Sequence, residues 1–395
     1  MLIDKIKTLC SLYSGEIIAD RRHMHQHPEL SFHEHETAAY IKKLLDLLEV
    51  PWRASAGTGI IGTITGSKPS STVVALRADI DALPIDEEND TPYRSVHKGI
   101  MHACGHDVHT ASLLGVARIA QALKDDFAGQ IKLIFQPAEE KYPGGAKAMV
   151  EEGFLNYPGL DAVIGQHTMP ELEAGKVGMK PGRYMASNDE LYITIRGRGG
   201  HGAQPHLNVD PVVIASHVII ALQQIVSRIA NPAMPTVLSI GKMFAAGSTN
   251  IIPEEVYLEG TLRTLDETWR KEVHAHIEKI AKGISESMGG TCNVKIQGFP
   301  GVHNNEELTA KVFQYAVEYL GKENVVTLNT WMAGEDFGEF SQLAESCYYR
   351  LGVGNKAKGI NSSLHTPTFD VDELNVFNMS SGLMAYIALR RLGNK

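Results

Sequence analysis

A cysteine and a histidine stand two residues apart in the segment MHACGHDVHTA, which covers residues 101–111. Gly105 separates Cys104 from His106, and a glycine-containing turn at the start of a helix would let the thiolate and the imidazole converge. Both groups are good ligands for zinc and related divalent ions. The pair alone does not establish a metal site, because a small buried cysteine and a histidine at a helix start are also common structural residues.

Two adjacent carboxylates, Glu139 and Glu140, follow the strand-like run IKLIFQ. Pro137 interrupts regular strand pairing, so both side chains are expected at the rim of a sheet. Successive residues of an extended chain point in opposite directions. One carboxylate can therefore bind a metal while its neighbour acts as a general base toward a metal-activated water. An exposed acidic turn is the alternative for such a pair standing alone.

Two further histidines extend the set of possible ligands. His167 is expected at the end of another strand, and His365 lies in SSLHTPTFD after a later one. One catalytic zinc uses about three protein ligands and a water, so a larger set with a thiolate that can bridge favours two divalent ions. Two ions about 3.5–4 Å apart can share a hydroxide and polarise a carbonyl, which suits amide hydrolysis. The candidate ligands are Cys104, His106, Glu140, His167 and His365.

Short apolar runs alternate with helical segments around these residues. Strands are predicted at 72–78, 130–136 and 161–166, and a helix at 108–123. Such runs are typical of buried parallel strands in an α/β protein. Ligands of such sheets bind beyond the carboxyl ends of the strands, which is where the candidate side chains lie.

The middle of the chain predicts a separate unit. Between residues 188 and 297 the order strand, helix, strand, strand, helix, strand is typical of a four-stranded antiparallel sheet with two helices on one face. The first helix, 210–228, begins with an Asp-Pro pair suited to an N-cap and first turn. The second, 268–288, follows Thr264 and Glu267 at capping-box spacing and stops at two glycines.

Beyond residue 299 the α/β pattern returns, with a helix at 307–320, a strand at 347–353 and a final helix at 371–392. The sequence therefore predicts a discontinuous α/β main domain with an inserted α+β domain. The main domain would comprise residues 1–183 and 299–395, and the inserted domain residues 184–298.

Composition narrows the classes of partner. The 395 residues carry 46 acidic and 37 basic side chains, and a formal charge of -9 would repel nucleic acids and anionic membranes. The most apolar stretch, 211–222, is interrupted by Ser216 and His217 and is shorter than the ~18 residues of a membrane span. Four scattered cysteines and a charged N-terminal segment without a secretory signal favour the cytoplasm.

Ten segments of this chain, in order, resemble the amidohydrolase branch of the aminoacylase and carboxypeptidase metallohydrolase superfamily. That branch includes hippurate hydrolase, indoleacetyl-amino-acid hydrolases and N-acetyldiaminopimelate deacetylase. The resemblance spans nearly the whole chain and implies that the α/β domain is a metallohydrolase catalytic domain and that the inserted ferredoxin-like α+β domain is a lid or dimerisation domain. The segments are RRHMHQHPELSF, RADIDALPIDE, MHACGHDVHTA, QPAEE, GQH, GRGGHGAQPH, NIIPEE, GTLRT, AGEDF and LHTPTFD.

The resemblance implies roles for particular residues. It implies that all five candidates are metal ligands, that the Cys104 thiolate is shared between two divalent ions, and that Glu139 is the general base. Zinc, manganese, cobalt and nickel all tolerate such a mixture of ligands. The peptidase branch has a histidine ligand at the position that aligns with Asp79, so Cys104 would supply the replacement ligand. Asp81 becomes a candidate for a residue that does not bind the metal itself but hydrogen-bonds to one of the ligands.

The same resemblance assigns residues of the inserted domain. His201 resembles a lid histidine that enters the partner subunit's site and stabilises the oxyanion, which implies a homodimer through this domain. Gly202 departs from the Ala or Ser usual after that histidine. Asn250 and Arg263 resemble residues that bind the substrate's carboxylate or carbonyl.

The expected function is metal-dependent hydrolysis of N-acyl amino acids, such as N-acetyl or N-benzoyl derivatives, to a carboxylic acid and a free amino acid. A dipeptidase or carboxypeptidase of the same superfamily is the first alternative. A cysteine hydrolase using Cys104 with His106 or His109 is the second, since a thiolate beside a histidine is also a nucleophile arrangement. A binding protein with a structural zinc is the third.

Overall fold

The computed structural model describes residues 1–393, which form two compact units. The first comprises Met1–Gly182, His303–Asn329 and the chain from Glu339 onward; the second comprises Arg183–Val302 and Thr330–Gly338. The helices are α1 (Leu2–Gln26), α2 (His35–Leu47), α3 (His106–Ala122), α4 (Gly145–Glu151), α5 (Pro211–Gln224), α6 (Glu267–Ser287), α7 (Glu306–Leu320), α8 (Gly338–Ser341), α9 (Glu373–Phe377) and α10 (Ser380–Gly393).

The strands of the chain vary from two to fourteen residues. They are β1 (Trp52–Ser55), β2 (Gly59–Thr65), β3 (Lys68–Asp79), β4 (Ala128–Gln136), β5 (Leu160–Glu173), β6 (Val177–Met179), β7 (Gly182–Arg183), β8 (Asn188–Arg196), β9 (Gly200–His201), β10 (Thr236–Ala245), β11 (Ile251–Ile252), β12 (Glu255–Thr264), β13 (Thr291–Phe299), β14 (His303–Asn304), β15 (Val325–Thr327) and β16 (Ser346–Gly354).

The first unit is built on an eight-stranded mixed sheet with the order β1-β2-β4-β3-β5-β16-β6-β15. Its centre is parallel, because β3 pairs in parallel with β4 and β5, and β5 with β16. α3 packs against β3, and α1 and α10 pack against α3. The α/β fold class and the parallel strands predicted from the apolar runs are confirmed.

The second unit has the predicted strand and helix order. Its antiparallel sheet runs β10-β12-β8-β13, and α5 and α6 pack together beside it around one apolar core. This is the ferredoxin-like arrangement. The predicted inserted domain, 184–298, falls within this unit, and its status as an independent domain stays a prediction.

The caps of the two long helices of this unit confirm one prediction and correct another. Asp210 accepts hydrogen bonds from the backbone N–H of Val212 and Val213, as an N-cap should. The capping box predicted from Thr264 and Glu267 is wrong, because Thr264 ends β12. The N-cap of α6 is Asp266, whose carboxylate accepts from the backbone N–H of Trp269 at 2.8 Å.

Two element boundaries in the first unit differ from the prediction. β5 does not stop before His167 but continues to Glu173, because β16 goes on pairing with it beyond the register His167↔Arg350. The final helix predicted at 371–392 is two helices, α9 and α10. Between them the Met379 N–H bonds the Val376 carbonyl in a tighter turn, which interrupts the helix.

The helical segment Pro211–Ile229 is, among the described residues, the one that length and composition would allow to cross a membrane. The expectation that no segment meets this criterion was wrong for this helix. One side of α5 packs on the four-stranded sheet, and the opposite side leaves Val213 and Ile220 exposed to solvent. The segment is therefore apolar both on the side that packs in the core and on the side that faces solvent.

Candidate metal centre and active site

The turn before α3 carries Cys104 and His106 and requires the glycine between them. Gly105 has a φ of +85°, and a Cβ at this position would lie 2.6 Å from Cγ2 of Thr168. Thr168 in turn donates its hydroxyl to the Cys104 carbonyl at 2.7 Å. The turn therefore packs tightly against β5. Both candidate ligands, Cys104 and His106, are buried and belong to this constrained backbone.

The Cys104 sulfur is the point on which the predicted ligands converge. It lies 3.3 Å from Nε2 of His167 and 3.3 Å from Nε2 of His365. Oε1 of Glu140 lies 3.2 Å from Nε2 of His365 and 3.9 Å from Nε2 of His106. The structure thus brings all five candidates together from a helix start, two loops and a strand.

The donor atoms fall into two groups that share the thiol. Cys104, His106 and His167 form one group, and Cys104, Glu140 and His365 form the other, with the donor atoms of each group within 4.8 Å of one another. A side chain common to two such groups is suited to bridge two ions. His365 has a φ of +59° and is half exposed, so the second group faces solvent.

Hydrogen bonds orient the imidazoles of the first group. Nδ1 of His106 contacts Oδ1 of Asp81 at 3.1 Å, and its buried Nε2 has no hydrogen-bond partner among the described residues. Nδ1 of His167 contacts the Thr168 carbonyl at 2.8 Å, which leaves its Nε2 toward Cys104. Metal-binding histidines have this pattern, with one nitrogen held by a carboxylate or carbonyl and the other free for the ion.

The charges around Cys104 determine the protonation state of its thiol and favour a bound cation. Burial raises the pKa of the thiol well above its usual range, and the carboxylates of Glu140 and Glu139 raise it further. A cation among these groups would favour the thiolate and use the unpartnered His106 nitrogen. Sulfur, nitrogen and oxygen donors together fit divalent ions such as zinc. The residues therefore fit a metal, and a raised pKa does not suit the thiol nucleophile of a cysteine hydrolase.

Asp79, Arg77 and His109 form a buried network that the sequence reasoning missed as a unit. Oδ2 of Asp79 accepts from Arg77 at 2.6 Å, and Oδ1 lies 2.5 Å from Nδ1 of His109. Burial alone would raise the pKa of the Asp79 carboxyl, but the charges of Arg77 and His106 hold it well below its usual range. Nε2 of His109 accepts from the Thr168 N–H at 2.9 Å, which fixes its tautomer. Its spacing of three residues from His106 on α3 was the available signal.

Glu139 lies beside the cluster, as predicted for a base adjacent to ligands. It is buried, and one of its oxygens lies within 4.8 Å of donor atoms of both Glu140 and His106. The residue before it, Ala138, is buried and has a φ of +50°, which is uncommon for a residue other than glycine. The loop after β4 therefore holds Glu139 in a defined backbone conformation.

The remaining predicted residues lie in the second unit. His201 is exposed on β9, its Nδ1 accepts from the Ala203 N–H at 3.0 Å, and the carbonyl of the exposed Asn250 accepts from the Gly202 N–H at 2.8 Å. His201 and Asn250 are thus neighbours, whereas Arg263 lies elsewhere in the unit. It is half-buried near the far end of β12 and donates to the Thr261 hydroxyl.

Thiol, imidazole and carboxylate donors that converge at the carboxyl edge of a parallel sheet define an α/β metallohydrolase. The model of peptidase family M20/M25/M40 matches residues 75–378, and this chain belongs to that family.

Two named relatives cover most of the chain. The N-acetyl-L-cysteine deacetylase of Bacillus subtilis (strain 168) is 41% identical over 384 residues, which are 97% of this chain and 89% of that protein. The N-acyl-L-amino acid amidohydrolase of Geobacillus stearothermophilus is 44% identical over 309 residues, which are 78% of this chain and 83% of that protein.

A solved structure is similar over the full length. The Bacillus subtilis YXEP protein, described as a dinuclear metal binding peptidase from the M20 family, matches with a TM-score of 0.83 at 32% identity. The match covers 98% of this chain and 99% of that one. The family resemblance inferred from the sequence motifs is confirmed.

Proposed function

We propose that this protein is a metal-dependent amidohydrolase that cleaves N-acyl amino acids to a carboxylic acid and a free amino acid. The observation that carries the proposal is the convergence of five metal-binding side chains on and around Cys104, with the buried Glu139 carboxylate beside them. The two named relatives act on substrates of this class by their names.

Each of the two groups of donor atoms would bind one divalent ion. Cys104, His106 and His167 would hold one ion, and Cys104, Glu140 and His365 the other. Bound ions would polarise the scissile carbonyl and lower the pKa of a water molecule.

The proton transfers fall to the chain's own side chains. Glu139 takes a proton from the attacking water and delivers it to the nitrogen of the leaving amino acid, so one carboxylate serves as base and then as acid. Asp81 keeps His106 in the tautomer that presents Nε2.

The inserted unit supplies the groups that bind substrate, and we propose that it also forms a homodimer. His201 donates a hydrogen bond to the developing oxyanion, while Asn250 and Arg263 bind the substrate's carboxylate or carbonyl. Arg263 lies about 25 Å along β12 from the end of that strand nearest His201 and Asn250, at ~3.3 Å per residue. This separation favours a site that takes Arg263 from one chain and His201 with Asn250 from the other.

Mixing two inactive variants tests the exchange of His201. A heterodimer of a His201→Ala chain with a Glu139→Ala chain contains one intact site, made from the first chain's Glu139 and the second chain's His201. Activity should reappear when the variants are unfolded and refolded together. Verified heterodimers that stay as inactive as their parents would exclude the action of His201 across the dimer.

A substrate panel tests the reaction itself. Protein reconstituted with zinc, manganese, cobalt or nickel should release amino acids from N-acetyl, N-benzoyl or N-indoleacetyl derivatives, and EDTA should abolish the release until metal is restored. A fully metallated protein that releases nothing from any acyl amino acid would contradict the proposal. Faster release from unblocked dipeptides would favour the peptidase alternative, which the family description and the YXEP protein support.

We further propose that the protein works in the cytoplasm, without nucleic acid or membrane partners. All four cysteines are free thiols, and Cys104 could not serve as a ligand if it were oxidised. The acidic charge of -9 opposes binding to nucleic acids and to anionic membranes.

A further inference from the structure

The segment PELSFHE, residues 28–34, contains a carboxylate that the reaction does not use. Glu34 is fully buried. Its Oε1 accepts hydrogen bonds from the backbone N–H of Ala138 at 2.8 Å and of Phe32 at 2.9 Å, and its Oε2 accepts from the Thr58 hydroxyl at 2.6 Å. A buried carboxylate with three donors is a built contact, and one of these donors belongs to the residue before Glu139.

Ala138, in the loop after β4, has a backbone conformation that its surroundings must stabilise. Its positive φ is unfavourable for alanine, and such a conformation persists only where the surroundings hold it. Glu34 holds its N–H, and the Gly145 N–H donates to its carbonyl at 3.0 Å. Gly145 itself has no room for a side chain, since a Cβ there would lie 1.9 Å from the Pro137 carbonyl oxygen.

A second hydrogen bond from the same segment is connected to the loop after β4 through Asp81. The Ser31 hydroxyl donates to Oδ2 of Asp81 at 2.7 Å, and that oxygen also accepts the Glu140 N–H at 3.0 Å. The backbone on both sides of Glu139 is therefore tied to residues 31–34, directly at Ala138 and through Asp81 at Glu140.

We propose that Glu34 is a positioning residue for hydrolysis: by holding the backbone of Ala138, it sets where the Glu139 carboxylate lies. This rests on the proposed role of Glu139 as the general base. A base must stay within hydrogen-bond reach of the proton it takes, and a misplacement of about 1 Å can cost roughly 100-fold in rate. Glu34 acts through hydrogen bonds rather than through its charge, so an amide oxygen in the same place should serve.

Three substitutions at Glu34 separate these effects. Glu34→Leu removes the acceptor and should lower kcat by roughly 10- to 100-fold with KM and metal content unchanged. Glu34→Gln retains an oxygen for the Ala138 N–H and should keep most of the activity. Glu34→Asp keeps the charge but withdraws the carboxylate by one methylene, so it should resemble Glu34→Leu and provides the test if the leucine variant does not fold.

Glu29→Leu is the matched control from the same segment. The Glu29 carboxylate accepts from the N–H groups of Glu36 and Thr37 and from the Thr37 hydroxyl, all at the start of α2. Its replacement should lower stability while kcat stays at the wild-type value. Amide hydrogen exchange of metal-free protein gives a readout independent of activity: residues 137–145 should exchange faster in Glu34→Leu than in wild type or Glu29→Leu.

The outcomes distinguish this inference from the proposed function. If wild type turns over no acyl amino acid, the proposed function fails. If wild type is active and Glu34→Leu keeps its kcat, or if Glu34→Gln is as impaired as Glu34→Leu, the positioning role of Glu34 is overturned. Equal exchange of residues 137–145 in Glu34→Leu and wild type would overturn it as well.

Discussion

The Cys104 thiol is the side chain through which both groups of candidate ligands meet. Two imidazole nitrogens, from His167 and His365, lie 3.3 Å from its sulfur. A neutral thiol would gain little from either neighbour, because burial and nearby carboxylates keep its proton on. When cations replace that proton, the thiol becomes a thiolate and can bind them.

Replacing Cys104 by serine should weaken the binding of both ions. A hydroxyl of similar size stays neutral near pH 7 and is a far poorer ligand than a thiolate. Elemental analysis of protein purified without chelator should approach two divalent ions per chain for wild type and fewer than one for Cys104→Ser. Loss of a single ion would mean that the sulfur serves one ion alone.

Glu139→Gln should retain both ions and lose the chemical step. The amide keeps the shape of the side chain but cannot accept the proton, so kcat should fall by roughly 10²–10⁴. Metal analysis and steady-state kinetics on the same preparation test this. A variant that loses metal along with activity would make Glu139 a ligand, and its assignment as base would be wrong.

Turns between elements, rather than the elements themselves, set the donor geometry. Gly105, Ala138 and His365 all have positive φ values, and each belongs to a turn or loop that presents a candidate ligand or the base. The sheet and α3 supply the rigid frame from which these turns emerge. Strained backbone at functional positions is stable only when packed elements enforce it.

In the second unit a buried ion pair joins β8 to α6. Arg270 donates to both oxygens of Asp189, at 2.6 and 2.8 Å. Burial would raise the pKa of Asp189, but Arg270 and His274 hold it below its ordinary value. The folded state therefore binds fewer protons than the unfolded state. The resulting stability is present above the unfolded pKa of about 4 and is lost as the pH falls through the lower folded value.

Asp189→Asn should accordingly lower the free energy of unfolding near pH 7 by about 3 kcal/mol, since it leaves the largely buried Arg270 without its main partner. Urea denaturation between pH 3 and pH 7 should show the difference from wild type shrinking below pH 4. Glu278→Gln, which breaks the exposed pair with Lys282 on the same helix, is the control and should have little effect. A cost that stays constant across this pH range would contradict the linkage.

At the scale of the whole molecule, the second unit exposes apolar side chains that bear on the proposed homodimer. Ile220 on α5 and Phe244 on the edge strand β10 are 71% and 60% exposed. β10 pairs with β12 on one side and presents its other edge. An open strand edge beside apolar side chains is suited to pairing with a second copy about a two-fold axis.

If the proposed homodimer forms through this surface, Ile220→Asp should shift the protein from dimer to monomer, because a two-fold interface would place two added charges near each other. Light scattering after size-exclusion chromatography measures the mass, and the monomer should keep its metals but lose turnover. Leu47→Asp on α2 of the first unit is the control, since Leu47 is also 71% exposed. A dimer that persists in Ile220→Asp would place the interface elsewhere.

The sequence by itself determined the central strands, the order of elements in the second unit and the list of chemical groups. Apolar runs predicted β3, β4 and β5, because a strand buried on both faces must be apolar along its length. The order of elements predicted the ferredoxin-like sheet, and the Asp-Pro pair predicted the start of α5. Residue types alone identified Cys104 and its companions as possible ligands.

Only the tertiary structure decided how those groups are held. The hydrogen bonds of Glu34 with Thr58 and Ala138, the Asp79 and His109 network and the extension of β5 through His167 join residues far apart in the chain. A sequence pattern records local periodicity, whereas a buried carboxylate is defined by the donors that folding brings to it. For this reason the candidate ligands could be proposed from their types and spacing, but the residues that hydrogen-bond to them and to their loops could not.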